Sequence, residues 1–462
     1  MKNSMKHIWS LALIGSLVVL AACGGGIPTV EVKEIFVKAD TGLDSNAGTL
    51  DKPLKTIKKA LELWKPGREL MLIPSIYNEV SGETWPYEAP AGLVIKSTAS
   101  GVILQNETPD NSGNLKRVAF NVTNAQIENV AFKNFDRALV QTSGRQTLKG
   151  VTFDGGSKES YALELSKSAE ADWSGIGFKN SAVLLKDAAT LNLKGASFEG
   201  DSQILTKGAS QLNLENAQTP NGSAGLILWA SESSKATVKT SSLNAQNNAI
   251  YVSGNAQVSL EGSYVSSVQS SAIRVDSGSL SLKDGSVSGS KRYGIEVGQG
   301  LNASINVDGS SIYGLYSGIY QSRGSLQVKK ARITAQREAI TIRGTVFFSL
   351  RDSTLETNGG NSNALYIDTN GQAIGIYPTD LGTAASPGGN TFKDSSSGNT
   401  RPLVYIVTGT GSTTTVPVSG NTWAANLQGA NTSGKYAVGT NAVGPSVSDK
   451  NYYASSGVTL NF

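Results

Sequence analysis

The sequence holds almost none of the side chains on which nucleophilic or metal chemistry depends. Among its 462 residues there is one cysteine, Cys23, and one histidine, His7. Structural disulfides need two thiols, and zinc sites, Ser-His-Asp triads and Cys-His pairs need imidazoles or thiolates, so beyond residue 23 all of these are excluded. Charge is scarce too. Asp, Glu, Lys and Arg make up 16% of the chain, against about 25% in ordinary soluble domains. The formal net charge of +4 offers no strongly basic surface, and nucleic acid is not an expected partner. Proline is limited to 13 residues while glycine reaches 51, which favours short strands and tight turns over helices. The chain is also longer than a single compact core usually supports, so several domains or a repeat are expected.

The N-terminus has a basic start (Lys2, Lys6), an apolar run from Ile8 to Leu20, and then Leu20-Ala21-Ala22-Cys23. That run is shorter than the roughly 20 residues that span a bilayer. Leu-Ala-Ala-Cys resembles a bacterial lipobox, in which the cysteine takes a diacylglyceryl group and becomes the first mature residue. Residues 1–22 then read as a lipoprotein signal peptide, Cys23 as the lipidation site, and 23–34, opening Gly24-Gly25-Gly26, as a flexible tether. Each buried methylene contributes about 0.8 kcal/mol, so two or more acyl chains hold a protein durably on a membrane. Gly24 stands where an Asp would signal inner-membrane retention, so the expected location is the cell envelope, at the outer membrane or cell surface.

From about residue 125 the chain repeats itself, each copy opening with a small residue followed by an alternating strand. Clear copies are Ala162-Leu163-Glu164-Leu165, Ala182-Val183-Leu184-Leu185, Ala249-Ile250-Tyr251-Val252, Ala272-Ile273-Arg274-Val275, Gly294-Ile295-Glu296-Val297 and Ala339-Ile340-Thr341-Ile342. Ser202-Gln203-Ile204-Leu205 and Gly225-Leu226-Ile227-Leu228 are read in the same phase. Spacings of 20 to 25 residues, with Gly, Asn and Ser between short strands, are the signature of a β-solenoid. A second strand in each coil ends on a charged residue: Lys194, Glu215, Lys239, Glu261, Lys283, Asp308, Lys329 and Arg351. Alternation of sign through the first seven is what vertically stacked coils need, since like charges one strand apart destabilise. Phe132, Phe153, Phe178 and Phe198 each precede an Asn or Gly by two residues and are expected to stack inside the core.

Upstream of the repeat lie Phe36-Val37, Asp40-Thr41-Gly42-Leu43-Asp44-Ser45-Asn46-Ala47-Gly48-Thr49, Pro53, Thr56-Ile57 and Ala60-Leu61. Together with Ile76-Tyr77-Asn78-Glu79, Gly82-Glu83-Thr84-Trp85-Pro86 and Pro90-Ala91-Gly92-Leu93-Val94-Ile95, they resemble the opening of the domain-of-unknown-function 1565 family. The resemblance implies a pectin-lyase-like fold on an exported bacterial protein and brings no established activity. The expected fold is therefore all-β: a right-handed parallel β-helix of about 12 coils with an N-terminal amphipathic capping helix. Leu54, Ile57, Leu61 and Trp64 form the apolar face of that helix, which Pro66-Gly67 stops. The cap and first coils take residues 35–105, the helix proper 106–424, and a C-terminal cap 425–462. Asp40, Asp44 and Asn46 are a weak candidate calcium set, with turn and capping duty the stronger reading.

A lyase or glycoside hydrolase of the pectin-lyase-like class is one functional reading. Such enzymes use clustered carboxylates with a basic residue, or paired aspartates with a histidine. This chain has no adjacent Asp-Asp pair and no histidine after His7. Short coils also leave little length for loops that build a cleft. The favoured reading is a lipid-anchored binding or structural module with no cofactor, held to the membrane through acyl chains on Cys23. Its candidate ligand surface is the outward column Tyr251, Arg274, Glu296, Tyr320, Thr341 and Tyr366, in which rings beside charged groups suit an extended glycan.

Overall fold

The computed structural model describes residues 33–107, 118–155, 161–220, 225–298, 302–360, 362–369, 378–396, 401–408, 414–425, 452–454 and 458–461. The expected signal peptide, Cys23, most of the expected tether and most of the expected C-terminal cap lie outside them. Short strands wind into an all-β parallel β-helix of about 13 turns, one more than the repeat count suggested. Every strand pair is parallel, and each rung pairs with the one a coil earlier and a coil later, as in Val238↔Leu260↔Leu282↔Val307. Two of the three faces merge into one 28-stranded sheet, because the late strands Ser317–Lys329 and Glu338–Arg351 run through the corner between them. Residues 452–454 and 458–461 add strands to the last rungs.

Alternation decides which side chains enter the core. In Thr190–Lys194, Leu191 and Leu193 point inward and are fully buried, while Thr190, Asn192 and Lys194 face out. The four phenylalanines stack as expected, with centroids 5.3, 5.7 and 5.2 Å apart and planes within 12 to 14°. Further along, the same inward position is taken by Leu243, Val265, Val287, Ile312, Ile333 and Leu355, before Phe392 and Trp423 return it to rings.

The charge ladder follows the expected register from Lys194↔Glu215 to Lys329↔Arg351. Lys194 meets Glu215 at 3.3 Å and Lys239 meets Glu261 at 3.1 Å. Where the signs fail to alternate, at Lys329 and Arg351, the arginine turns to Asp380 in the following coil, at 2.5 Å. A left-handed corner residue follows each ladder position; at Gly150, Gly175, Gly195, Gly262 and Gly309 it is a glycine, for which positive φ carries no steric cost. Buried serines then staple several corners. Ser263 Oγ donates to the Glu261 carbonyl at 3.0 Å and accepts from the Ser241 amide at 3.2 Å.

Three readings need correction. The copy at Ser202 is out of phase by one residue and that at Gly225 by two, because Ile204 pairs with Val183 and Leu228 with Ile250. The small-residue marker misleads there: the pleat puts the fully buried Ile204 and Leu228 on the core side, and a slip of one residue would turn them out. The capping helix is also short, Ile57–Leu63, and packs on the first strand, Glu34–Val37. Leu54 is not on it but in a bridge to Val37, although Ile57 and Ala60 are buried and Leu61 and Trp64 partly so.

Asp44 closes the turn before this helix, accepting from the amides of Lys55 and Thr56 at 3.0 and 2.9 Å. Asn46 donates to the Pro53 carbonyl, and Asp40 accepts from Ser75 at 3.2 Å. All three side chains thus take part in holding the loop. Glu83, from the Gly-Glu-Thr-Trp-Pro motif, accepts from the first helical amide, Ile57, at 2.9 Å and from the Tyr87 hydroxyl at 2.5 Å. Burial pushes its carboxyl up to about 7 even though these bonds favour the anion.

Candidate functional site

The outward column is continuous in register. Tyr251, Arg274, Glu296, Tyr320, Thr341 and Tyr366 are successive rungs, and it runs on to Trp229 below and Tyr405 above. Trp229 was hidden by the two-residue slip at Gly225, and Tyr405 by the looser repeat past residue 370. The rings pair across coils: Trp229 with Tyr251 at 5.6 Å, and Tyr366 with Tyr405 at 5.3 Å and 2°.

The column is not uniform, and it divides into two parts. Around Tyr251 it is a tight polar cluster, where the tyrosine hydroxyl donates to Asp276 and Arg274 Nε donates to the same carboxylate at 2.8 Å. Arg274 therefore pairs with Asp276, just past the end of its own strand, not with Glu296 of the next coil. Burial, then the bond to Asp276, raises the Tyr251 hydroxyl above the ordinary tyrosine value. Trp229 remains 38% exposed, its indole N–H donating to Ser253 at 3.2 Å.

Three expected ligand positions are covered. Glu296 is 9% exposed and accepts from Ser271, and Thr341 shares a 2.6 Å hydrogen bond with Ser317. Tyr320, at 8% exposure, lies beneath Tyr293, whose ring stacks on it at 5.1 Å and 29°. Tyr320 is thus a floor under Tyr293 and not itself a free stacking surface.

Tyr293 belongs to a feature that the sequence reading missed. Beside the upper column opens a cleft of about 480 Å³, lined by Arg292, Tyr293, Tyr316, Ser317, Tyr320, Arg337, Glu338, Thr341, Arg343, Tyr366 and Arg401. Three of its four arginines come from the corner preceding a strand, and the fourth, Arg343, lies within the strand Glu338–Arg351. Arg292, Arg337 and Arg401 occupy one phase there, two residues before Gly294, Ala339 and Leu403, and Tyr316 holds the same phase before Gly318. Alignment on those small-residue markers would have revealed the row.

Three arginines lie against rings: Arg292 on Tyr293 at 5.6 Å, Arg337 on Tyr316 at 5.8 Å and Arg343 on Tyr366 at 5.7 Å. Burial raises Tyr293, and it also raises Glu338 against the opposite pull of Arg337, Arg401 and Arg343. Glu338 is the one carboxylate among the cleft's lining residues. Among the described residues no group of three Asp, Glu, His or Cys converges as a metal site would require.

Comparison with solved structures finds similarity at low identity. Tailspike protein 3 of bacteriophage CBA120 is 11% identical over 85% of this chain and 59% of its own, with a TM-score of 0.43. A GH136 lacto-N-biosidase from Eubacterium ramulus is 8% identical, covering 70% and 64%, with a TM-score of 0.24. Pectate lyase Pel9A is 12% identical, covering 80% and 78%, with a TM-score of 0.17. The chain spans less than two thirds of the length of the first two. No curated protein matches. Within this parallel β-helix, residues 40–190 match the family model described as a protein of unknown function, DUF1565, the family its opening motifs resemble.

Proposed function

We propose that this chain is an exported, lipid-anchored envelope protein that binds an extended glycan along its outward aromatic column. The observation that carries the reading is the run of rings and polar groups one coil apart from Trp229 to Tyr405, on a face whose strands pair in parallel register. Aromatic faces pack against the apolar faces of sugar rings, while carboxylates, hydroxyls and guanidinia beside them bond to sugar hydroxyls. A strand spacing of about 4.8 Å repeats these contacts along a linear polymer.

The test is titration of the full-length protein in detergent with a panel of neutral and acidic polysaccharides. Trp229→Ala and Tyr405→Ala are each expected to weaken binding about tenfold, roughly 1.4 kcal/mol, with an unchanged circular dichroism spectrum. Binding indifferent to both substitutions overturns the reading. The anchor is tested separately: Cys23→Ser moves the protein from the membrane to the soluble fraction, and an unmodified Cys23 in the purified protein rules the anchor out.

Glu338 gives the enzymatic alternative its one foothold, a carboxyl held above its ordinary value inside a cleft. Release of reducing or unsaturated products, lost in Glu338→Gln, would replace binding with cleavage as the function.

A further inference from the structure

The geometry points to the arginine-lined cleft as a subsite for an anionic sugar residue, so that the glycan taken by this face carries carboxylate, sulfate or phosphate groups. This rests on the glycan reading above and narrows it to a chemical class.

Arg68 and Arg323 form no ion pair among the described residues, but the other described arginines outside the cleft each meet a carboxylate. Arg137 lies 3.3 Å from Glu164, Arg145 2.5 Å from Asp172, Arg274 2.8 Å from Asp276, Arg332 2.6 Å from Glu356 and Arg351 2.5 Å from Asp380. In the cleft, Arg292, Arg337 and Arg343 form no ion pair among the described residues and rest on tyrosine rings instead. Four arginines against one glutamate leave the lining at +3, in a chain whose whole formal charge is +4. Arg292, Arg337 and Arg343 are gathered here around a single carboxylate, Glu338, whereas the ladder alternates its signs.

The ring contacts supply the second part of the argument. A guanidinium lying against an aromatic face is held by cation–π attraction while its N–H edge stays available. That edge is a planar fork of donors matched to a carboxylate, sulfate or phosphate. Holding it in place beforehand lowers the ordering cost of binding. Glu338 is the single carboxylate facing these guanidinia, and burial raises its pKa against their pull. The cleft reaches from the coil of Arg292 to that of Arg401, about four coil steps or ~19 Å, long enough for several sugar units. Single-stranded nucleic acid could use the same groups, but the basic row stops at the cleft.

The experiment is calorimetric titration of the full-length protein in detergent with matched pairs: polygalacturonate against its methyl ester, and dextran sulfate against dextran. The acidic member of at least one pair is expected to bind tenfold or more tightly than its neutral partner, a preference that weakens with salt. Arg337→Gln/Arg343→Gln should abolish the preference, Arg343→Lys should retain part of it, and Trp229→Ala should weaken both members alike. If the double variant unfolds, Arg292→Gln, at an exposed corner, takes its place. Equal affinity within every pair, or a preference that survives the arginine substitutions, overturns the anionic subsite and leaves the glycan reading standing. Failure to bind any member overturns both, and tighter binding of poly(dT) than of any acidic glycan overturns them in favour of nucleic acid.

Discussion

Two sets of aromatic rings run along this β-helix in coil register, one inside and one outside, and they have little else in common. The inner set, Phe132 to Phe198, is unbroken, fully buried and stacked within 14° of parallel. The outer set, Trp229 to Tyr405, is interrupted by Arg274, Glu296 and Thr341, and its ring pairs range from 2° to 43°. A closed interior must be filled by interlocking shapes, so it selects one residue type repeated in register. An outer face has no such demand, and its irregularity is free to record what it meets.

That contrast can be broken most forcefully from the inside. Phe178→Ala removes the ring with stacked neighbours on both sides and should cost about 3–5 kcal/mol, read as a lower urea midpoint. Tyr366→Ala, half-exposed on the outer column, should cost well under half as much in the same measurement.

A buried charge tests the same difference by pH. Folded Glu83 keeps its proton up to about 7, whereas an unfolded glutamate releases it near 4.5, so unfolding releases a proton between those values. The contribution of Glu83 to stability should be fully present below about 4.5, fall by about 3 kcal/mol as pH rises to 7, and level off above. Urea midpoints measured across that range in wild type and Glu83→Gln check this, the variant losing the slope.

Outside, the expected effects shift from stability to binding. Trp229→Ala should leave the unfolding midpoint within about 0.5 kcal/mol of wild type while lowering glycan affinity. The smallest effect belongs to the exposed ladder. Glu261→Lys sets like charges beside Lys239 and Lys283, which now lower the Glu261 pKa, and should depress the midpoint slightly at low salt and not at all in 1 M salt.

The inner set was legible in the sequence because burial imposes period and chemistry together: the phenylalanine spacing and the alternating ladder both specify which residues are vertical neighbours. The outer site was legible only in part. Its register followed from the markers, but two copies slipped where the small residue does not open the strand, and that concealed Trp229. The burial of Tyr320 depends on Tyr293, three residues before Glu296 at the first position of its strand, and no periodic signal reports such a contact. The basic row was visible in phase, yet its separation from carboxylates is a property of side-chain placement. Glu83 sits in a motif noticed for its resemblance, while its function as the anchor of the helix start needed the fold.

The claim beneath all of this is that residues one coil apart are nearest neighbours, and paired cysteines in a Cys23→Ser background test it directly. Thr237 and Ser259 are register partners, and Ser281 is one coil further on. Disulfides form across Cα separations of about 4.4–6.8 Å, so Thr237→Cys/Ser259→Cys, about 4.8 Å apart, should oxidise readily. Thr237→Cys/Ser281→Cys, about 9.6 Å apart, should remain as free thiols. Equal or reversed oxidation of the two pairs would contradict the stacked register and the functional surface built on it.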